Sequence, residues 1–210
     1  MSTQLQANLA ERFSGDLETA REIFAEHPWL LVPDLQLDWL ERGYQGTYRN
    51  VEVGAGSPAD FAIHFHLQGK LYIQLIRLAS PRAPIVVNFS QPSEFIAALQ
   101  DVQSWKQTVQ DRQLPFQELI PASGVVFMYR IVIGRSSQFS ENEKAEMKDA
   151  QNWDVRIRSY DWLIEKAGEY STFMVQALDA CGPPKSHAEF VAGLPELIER
   201  LDGPTPPYLS

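Results

Sequence analysis

Apolar and polar positions repeat along this chain with two different periods, and each change of period marks an element. Residues 3–13 and 16–27 repeat at helical spacing and break at Ser14-Gly15; in the second segment Leu17, Ala20, Ile23 and Phe24 share one apolar face. Pro28 ends that helix, and His27-Pro-Trp-Leu-Leu-Val-Pro33 reads as a compact apolar connector, the residue before each proline being pushed out of helical geometry. A short helix or strand to Glu41 and a Gly/Tyr turn follow, then a strand at Thr47–Val53 and a loop at Gly54-Ala-Gly-Ser-Pro58. From Asp60 to Leu67 the period is two, with Phe61, Ile63, Phe65 and Leu67 on one face and Asp60, Ala62, His64 and His66 on the other, which predicts a half-polar strand. Gln68-Gly69 is a tight-turn signal before a second strand at Leu71–Leu78, so the pair reads as an antiparallel hairpin. The second arm places Tyr72, Gln74 and Ile76 on one face and Leu71, Ile73, Leu75 and Arg77 on the other.

Beyond the hairpin, Ser80–Pro84 is punctuated by proline, Ile85–Phe89 is a short apolar run, and a helix starts near Pro92-Ser93. Phe95, Ala98, Leu99, Val102 and Val109 form its apolar stripe, with Trp105 at the border. Val125–Ile133 is β-rich and apolar throughout, the mark of a central strand covered on both faces, and ends at Gly134. Ser140-Glu-Asn-Glu143 and Ser186-His-Ala-Glu189 are capping boxes opening helices to about Ala150 and to Gly203. Between them lie a short strand at Val155–Arg158 and a helix from Ser159 toward Ala180. The order predicts an α/β fold with a small central mixed sheet flanked by helices.

Composition narrows the class. With 210 residues, 44% apolar and 11% aromatic, the chain fills one core, so a single domain over 1–210 is expected: N-terminal helices at 1–32, a core at 60–165, and a C-terminal helix and proline-rich tail at 182–210. No apolar run is long enough to span a membrane. No basic patch precedes an apolar run near Met1, so the cytoplasm is the expected compartment. Cys181 stands alone, which excludes an internal disulfide framework and cysteine-based zinc sites, and its neighbours mark it as a small apolar residue. Net charge is −9, yet residues 61–100 hold three basic residues against one acidic, so the middle of the chain is the candidate for touching phosphate.

His64 and His66, at i and i+2 on one strand face, have a spacing that lets two imidazoles reach one metal, with Asp60 as a third ligand; the competing reading is two polar residues on a partly solvated face. Phosphate-loop, dinucleotide and hydrolase-elbow motifs are absent. The hairpin has the skeleton of a metal-dependent phosphodiesterase: an acid opens one strand, and an acid and a lysine at i, i+2 follow on the next. There the carboxylates hold Mg²⁺ and the lysine steadies the attacking water. Asp60 opens the first strand here, but Gln74-Leu75-Ile76 occupies the place of the acid-x-lysine triplet.

Glu26-His-Pro-Trp-Leu-Leu31, Ala59-Asp-Phe61, Leu71-Tyr-Ile-Gln-Leu-Ile76, Glu94 to Lys106, Ile131-Val-Ile-Gly-Arg135 and Arg158-Ser-Tyr-Asp-Trp-Leu-Ile164 occur in an order that resembles the Shedu anti-phage nuclease domain, over roughly residues 15–165. That domain belongs to the PD-(D/E)XK, restriction-endonuclease-like group. The resemblance implies that fold and a catalytic set in which Asp60 matches directly, while Gln74 stands for the family's glutamate and Ile76 for its lysine. Ser104-Trp105 matches a Ser-Trp pair of the family's long helix, whose preceding glutamine position holds Asp101. A neutral amide brings no charge against a dication, and isoleucine cannot replace an ammonium. The resemblance therefore implies a catalytically degenerate member, without cofactor, acting through a protein partner or self-association, within phage defence.

The alternative is an endonuclease with a rebuilt site: Mg²⁺ or Mn²⁺ held by Asp60 and Asp101, with Gln74 as an oxygen ligand. Glu18, Glu22 and Glu26 are further acids available to it, and Lys106 or Arg77 further cations. Arg77 lies on the strand face opposite Gln74. A third reading is binding of DNA or RNA without cleavage, through Lys70, Arg77, Arg82, Lys106 and Arg130.

Overall fold

The computed structural model describes residues 3–32, 46–67, 69–85, 93–170, 175–176 and 181–202. The expected elements at 34–41, at 86–89, along parts of 171–180 and in the tail from 203 lie outside the described residues. Helices α1 (Thr3–Arg12) and α2 (Leu17–Glu26) lead through a 3-10 turn (Pro28–Leu31) to strands β1 (Thr47–Val51), β2 (Ala59–Leu67) and β3 (Lys70–Leu78). Helix α3 (Glu94–Gln110) precedes β4 (Val125–Val132), α4 (Glu141–Asp149) precedes β5 (Val155–Arg158), and α5 (Tyr160–Gly168) and α6 (His187–Asp202) follow. Ser140 with Glu143 and Ser186 with Glu189 form the reciprocal boxes that the sequence predicts, and Asp16, Ser93 and Ser159 each accept an amide of the first turn of their helices.

The strands form one mixed sheet in the order β1-β2-β3-β4-β5, antiparallel through the first three and parallel from β3 to β5. Two apolar cores lie on its two faces. Ala62, Leu71, Ile73, Leu75 and Ile131 pack with Phe95, Ala98, Val102 and Trp105 of α3 and Phe190, Leu194 and Leu197 of α6. Phe61, Ile63, Phe65, Ile76 and Val132 pack with Leu9, Ile23, Phe24, Trp29 and Leu163 from α1, α2, the 3-10 turn and α5. The chain is therefore a mixed α/β fold with a central sheet flanked by helices. No described helix is long and apolar enough to cross a membrane.

The chain itself bonds to both outer edges of the sheet, at the start of β1 and along β5. Along β1, the Lys185 amide donates to the Thr47 carbonyl and the Arg49 amide donates to the Lys185 carbonyl, each at 2.8 Å. Along β5, the outward amides of Val155 and Ile157 donate to Asn152 Oδ1 and Gln151 Oε1, while their carbonyls accept from the Asn152 amide and Arg158 Nη1. An edge whose groups are already bonded is a poor template for a strand from another chain.

Two expectations need correction. β2 is not half-polar in its setting, because helices cover both its faces and its first seven residues are buried. His64 is fully buried beneath α6, with Nε2 at 3.1 Å from the Tyr48 hydroxyl and Nδ1 without a hydrogen-bond partner among the described residues. A Cβ built on Gly193 of α6 would stand 4.0 Å from that hydroxyl. His66 Nε2 lies 2.9 Å from the Leu197 carbonyl, which only accepts, so this nitrogen carries the proton. The histidine pair thus docks α6 on the sheet. β4 departs from its expectation in part: its last four residues are buried, but Val125–Met128 are half-exposed.

Two outcomes are expected. Gly134, at φ +59°, lies where a Cβ would stand 2.6 Å from the Phe139 ring and 2.7 Å from the Ala83 carbonyl. Gly134→Ala should lower stability by about 2 kcal/mol or more in urea unfolding; a change within error would show that this turn yields easily. Burial, then the positive charges of His66, Lys185 and Arg200, push the His64 pKa from 6.5 down to about 3. The unfolded chain takes up this proton first, so stability is full above pH 6.5 and falls toward pH 3, by about 1.4 kcal/mol per unit for this residue. The stability difference between wild type and His64→Gln should shrink with that slope from pH 6.5 to 5; parallel pH profiles would refute it.

Candidate functional site

Asp60 is the second residue of β2 and its side chain is 5% exposed. The preceding loop is held against α3 by Trp105, whose indole N–H donates to the Ser57 carbonyl at 2.8 Å, and this fixes where β2 begins. The carboxylate is fully engaged. Oδ1 accepts from Arg21 Nε at 2.9 Å and Nη2 at 2.8 Å, while Oδ2 accepts from Arg77 Nη1 at 3.0 Å and the Leu78 amide at 2.8 Å. Arg21 also reaches Glu18 at 3.1 Å, and Arg77 Nε meets Asp101 Oδ2 of α3 at 2.8 Å. The chain of charges Glu18–Arg21–Asp60–Arg77–Asp101 thus runs from α2 across the end of β2 and β3 to α3.

This network forms part of the wall of a cleft of about 490 Å³ between α2 and the ends of β1 and β2. Glu22 and Arg49 stand on the same wall, beside Asn50, which adopts a left-handed backbone at φ 52°. Asparagine tolerates that region better than most residues.

The register decides which candidate residues meet. Phe61 pairs with Ile76 and Ile63 with Gln74, so Asp60 shares a face with Arg77. Gln74 and Ile76 point to the opposite core, between α2, α5 and β4. Gln74 is buried and its Oε1 has no hydrogen-bond partner among the described residues. Of the motif positions, Asp60 and Asp101 are brought to one arginine, and Gln74 and Ile76 are carried away from it. A divalent ion needs carboxylate lone pairs that are free to coordinate. Both Asp60 oxygens already accept two hydrogen bonds each, so the residues present do not fit Mg²⁺ or Mn²⁺. Among the described residues no group of three or more His, Cys, Asp or Glu side chains converges to hold a metal.

The basic candidates do not share a surface. Arg130, expected to touch phosphate, is a core residue: it is fully buried, and its Nη1 donates to the Leu31 carbonyl at 2.5 Å. Lys106 pairs with Asp154 at 3.0 Å, and Arg82 is exposed with its Nε bonded to the Ser14 carbonyl. Lys70 is exposed at the hairpin tip, about 23 Å along β3 from Arg77 at the usual strand rise. Glu26 is turned to Arg12 at 2.7 Å.

Arg21 is the residue that the sequence reading missed. Its spacing of three from Glu18 signals a local helix pair, but nothing local signals a partner 39 residues away. Arg77 was separable from Gln74 by strand parity; that the same parity sets it opposite Asp60 needs the register.

No family model matches the chain, and no curated protein matches it. Among solved structures, that of the restriction endonuclease FokI bound to DNA aligns over 88% of this chain and 34% of its own, at 15% identity and a TM-score of 0.36, so the chain spans about a third of that protein's length.

Replacing Asp60 by asparagine would leave two guanidiniums facing a neutral amide. Asp60→Asn should cost about 2–4 kcal/mol, somewhat below a fully buried pair because Arg21 is partly in water. Urea unfolding measures it, and a loss under about 0.5 kcal/mol, the level of an ordinary surface substitution, would mean that the network does not hold the layers together.

Proposed function

We propose that this chain is a protein-interaction or regulatory module on a restriction-endonuclease-like scaffold that resembles the Shedu nuclease domain, with a role in cytoplasmic phage defence. The observation that carries the reading is the engagement of Asp60. The carboxylate that should hold a metal is held instead by Arg21, Arg77 and the Leu78 amide. The positions of the second acid and the lysine, Gln74 and Ile76, serve the core on the other face. Because the chain already bonds to both sheet edges, at the start of β1 and along β5, a protein partner or a second copy engages helix faces or loops rather than adding a strand. Trp153, 72% exposed on a turn held by the Asn152 side chain, is an aromatic anchor of the kind that dominates binding energy at interfaces.

A second reading, a DNA endonuclease using Mg²⁺ or Mn²⁺, draws on the convergence of Asp60 and Asp101 at Arg77. Nucleic-acid binding without cleavage finds less support, because Arg77 and Lys106 are ion-paired, Arg130 is buried and Lys70 stands apart. Calorimetric titration of the wild-type protein with Mn²⁺ and Mg²⁺ separates the readings. No binding is expected at millimolar metal. Micromolar Mn²⁺ binding that vanishes in Asp60→Ala would overturn the module reading and direct the work to magnesium-dependent nicking of DNA.

A further inference from the structure

Helix α6 delivers the chain to an incompletely covered end of the sheet. Leu201, its last apolar residue, packs on the same core as Val109, Val125 and Phe127, and a Cβ built on Gly124 would stand 3.1 Å from its Cδ1. A cleft of about 190 Å³ opens beside this contact. Val109, Leu114, Ile120, Val125 and Phe127 line it with apolar side chains, and Arg112 and Gln117 are the polar members of its wall. Ala122, two residues before Gly124, and Val125, the residue after it, both belong to the lining, so α6 ends against the loop that forms the rim. The cleft lies at the opposite end of β3 from Arg77, since Val125 pairs with Leu71. Arg112 Nη2 reaches the Ile120 carbonyl at 3.5 Å, and among the described residues its guanidinium has no closer partner. A space of this size holds one aromatic ring, because an apolar cavity of about 150 Å³ takes up benzene. A ring with a polar tip matches this wall best: the ring suits the valine and phenylalanine side chains, and a hydroxyl suits the guanidinium.

We propose that this cleft is the docking site of the chain's own segment 203–210, with the Tyr208 ring seated among Leu114, Val125 and Phe127 and its hydroxyl at Arg112. The sequence beyond Asp202 is Gly-Pro-Thr-Pro-Pro-Tyr-Leu-Ser, in which Tyr208 and Leu209 are the bulky apolar side chains and no residue is charged. Burial of this segment therefore strips no ion of its water. Three prolines at 204, 206 and 207 favour polyproline II, which advances about 3.1 Å per residue, so Tyr208 reaches up to about 19 Å from Asp202. The rim begins beside Leu201, well inside that radius. A proline-rich segment loses little conformational entropy on docking, which is why such segments suit aromatic-lined grooves. The tether supplies the rest: a short linker holds its ligand at an effective concentration in the millimolar range, enough for a one-ring pocket that offers a separate partner little area. A protein that engages this face must first displace the segment, so the module carries its own competitor for the surface.

The test is paramagnetic relaxation enhancement, read by nuclear magnetic resonance on the whole chain. Cys181→Ser removes the native thiol, and a nitroxide is attached at Ser210→Cys, which leaves Tyr208 and Leu209 in place. The amide signals of Arg112, Leu114 and Phe127 should broaden. Adding Tyr208→Ser with Leu209→Ser should lower the enhancement about tenfold or more, the scale of losing one buried aromatic side chain. Ala122→Asp, which sets a charge on an exposed part of the rim, should produce the same fall with the segment intact. These variants act from opposite sides of the contact, so each reports if the other fails to fold, and near-UV circular dichroism checks that both are native. Broadening that is absent, or that persists in either native variant, reflects the tether alone and overturns the inference. Mixing an isotope-labelled chain without nitroxide with an unlabelled chain that carries it tests for exchange between copies; broadening at the same three amides there places the segment on a second copy and also overturns it. None of these outcomes touches the Asp60 network, so the module reading stands or falls separately, on its metal titration.

Discussion

The Asp60 carboxylate, held between two guanidiniums and a backbone amide at the end of the central hairpin, is the interaction on which the geometry of this end of the fold depends. An ionised group at 5% exposure pays a desolvation cost that an opposite charge and good hydrogen bonds must offset. Asp60 has four such bonds, to Arg21, Arg77 and Leu78. Arg21 comes from a helix packed on one face of the sheet and Asp101, at the far end of the chain of charges, from a helix packed on the other. The network therefore ties two separate cores together across the sheet's end, where apolar packing alone does not connect them.

The same network bounds the cleft beside α2. Its buried acid, Asp60, is engaged by arginines and presents bound charge pairs rather than an open carboxylate ligand. Gln74 and Ile76, which the sequence resemblance offers as counterparts of a second acid and a lysine, lie on the face of the hairpin opposite Asp60. Gln74 and Ile76 line the α2–α5 core, and restoring glutamate and lysine there would place two charges among apolar side chains without bringing either to Asp60.

Side chains and loops of the chain bond along both sheet edges. At β5, Asn152 and Gln151 act through their side-chain oxygens as a substitute strand, and the turn they stabilise is the one that displays Trp153. At β1, residues around Lys185 do the same just before α6 lands on the sheet through His64, His66 and Tyr48. A buried neutral histidine with Nδ1 unpartnered costs stability in acid, and it links the docking of α6 to pH.

Much of this architecture was legible from periodicity alone. The two N-terminal helices, the hairpin, the long helix and the capped C-terminal helix fall within a few residues of where alternation, prolines and capping boxes place them, because those signals act over neighbours a few residues apart. The hairpin turn even contained the pairing of Asp60 with Arg77: a turn at 68–69 sets residue 67 against residue 70, and counting back along antiparallel strands sets 60 against 77. What the sequence could not determine was depth and long-range partnership. His64 and Arg130 have the chemistry of surface residues and are buried because helices from distant parts of the chain cover them. Arg21 meets Asp60 across 39 residues for the same reason. Hydrophobic patterning is a one-dimensional property and determines which face of an element turns inward; which charges end up neighbours is decided when the layers close around the sheet, and only the tertiary structure carries that information.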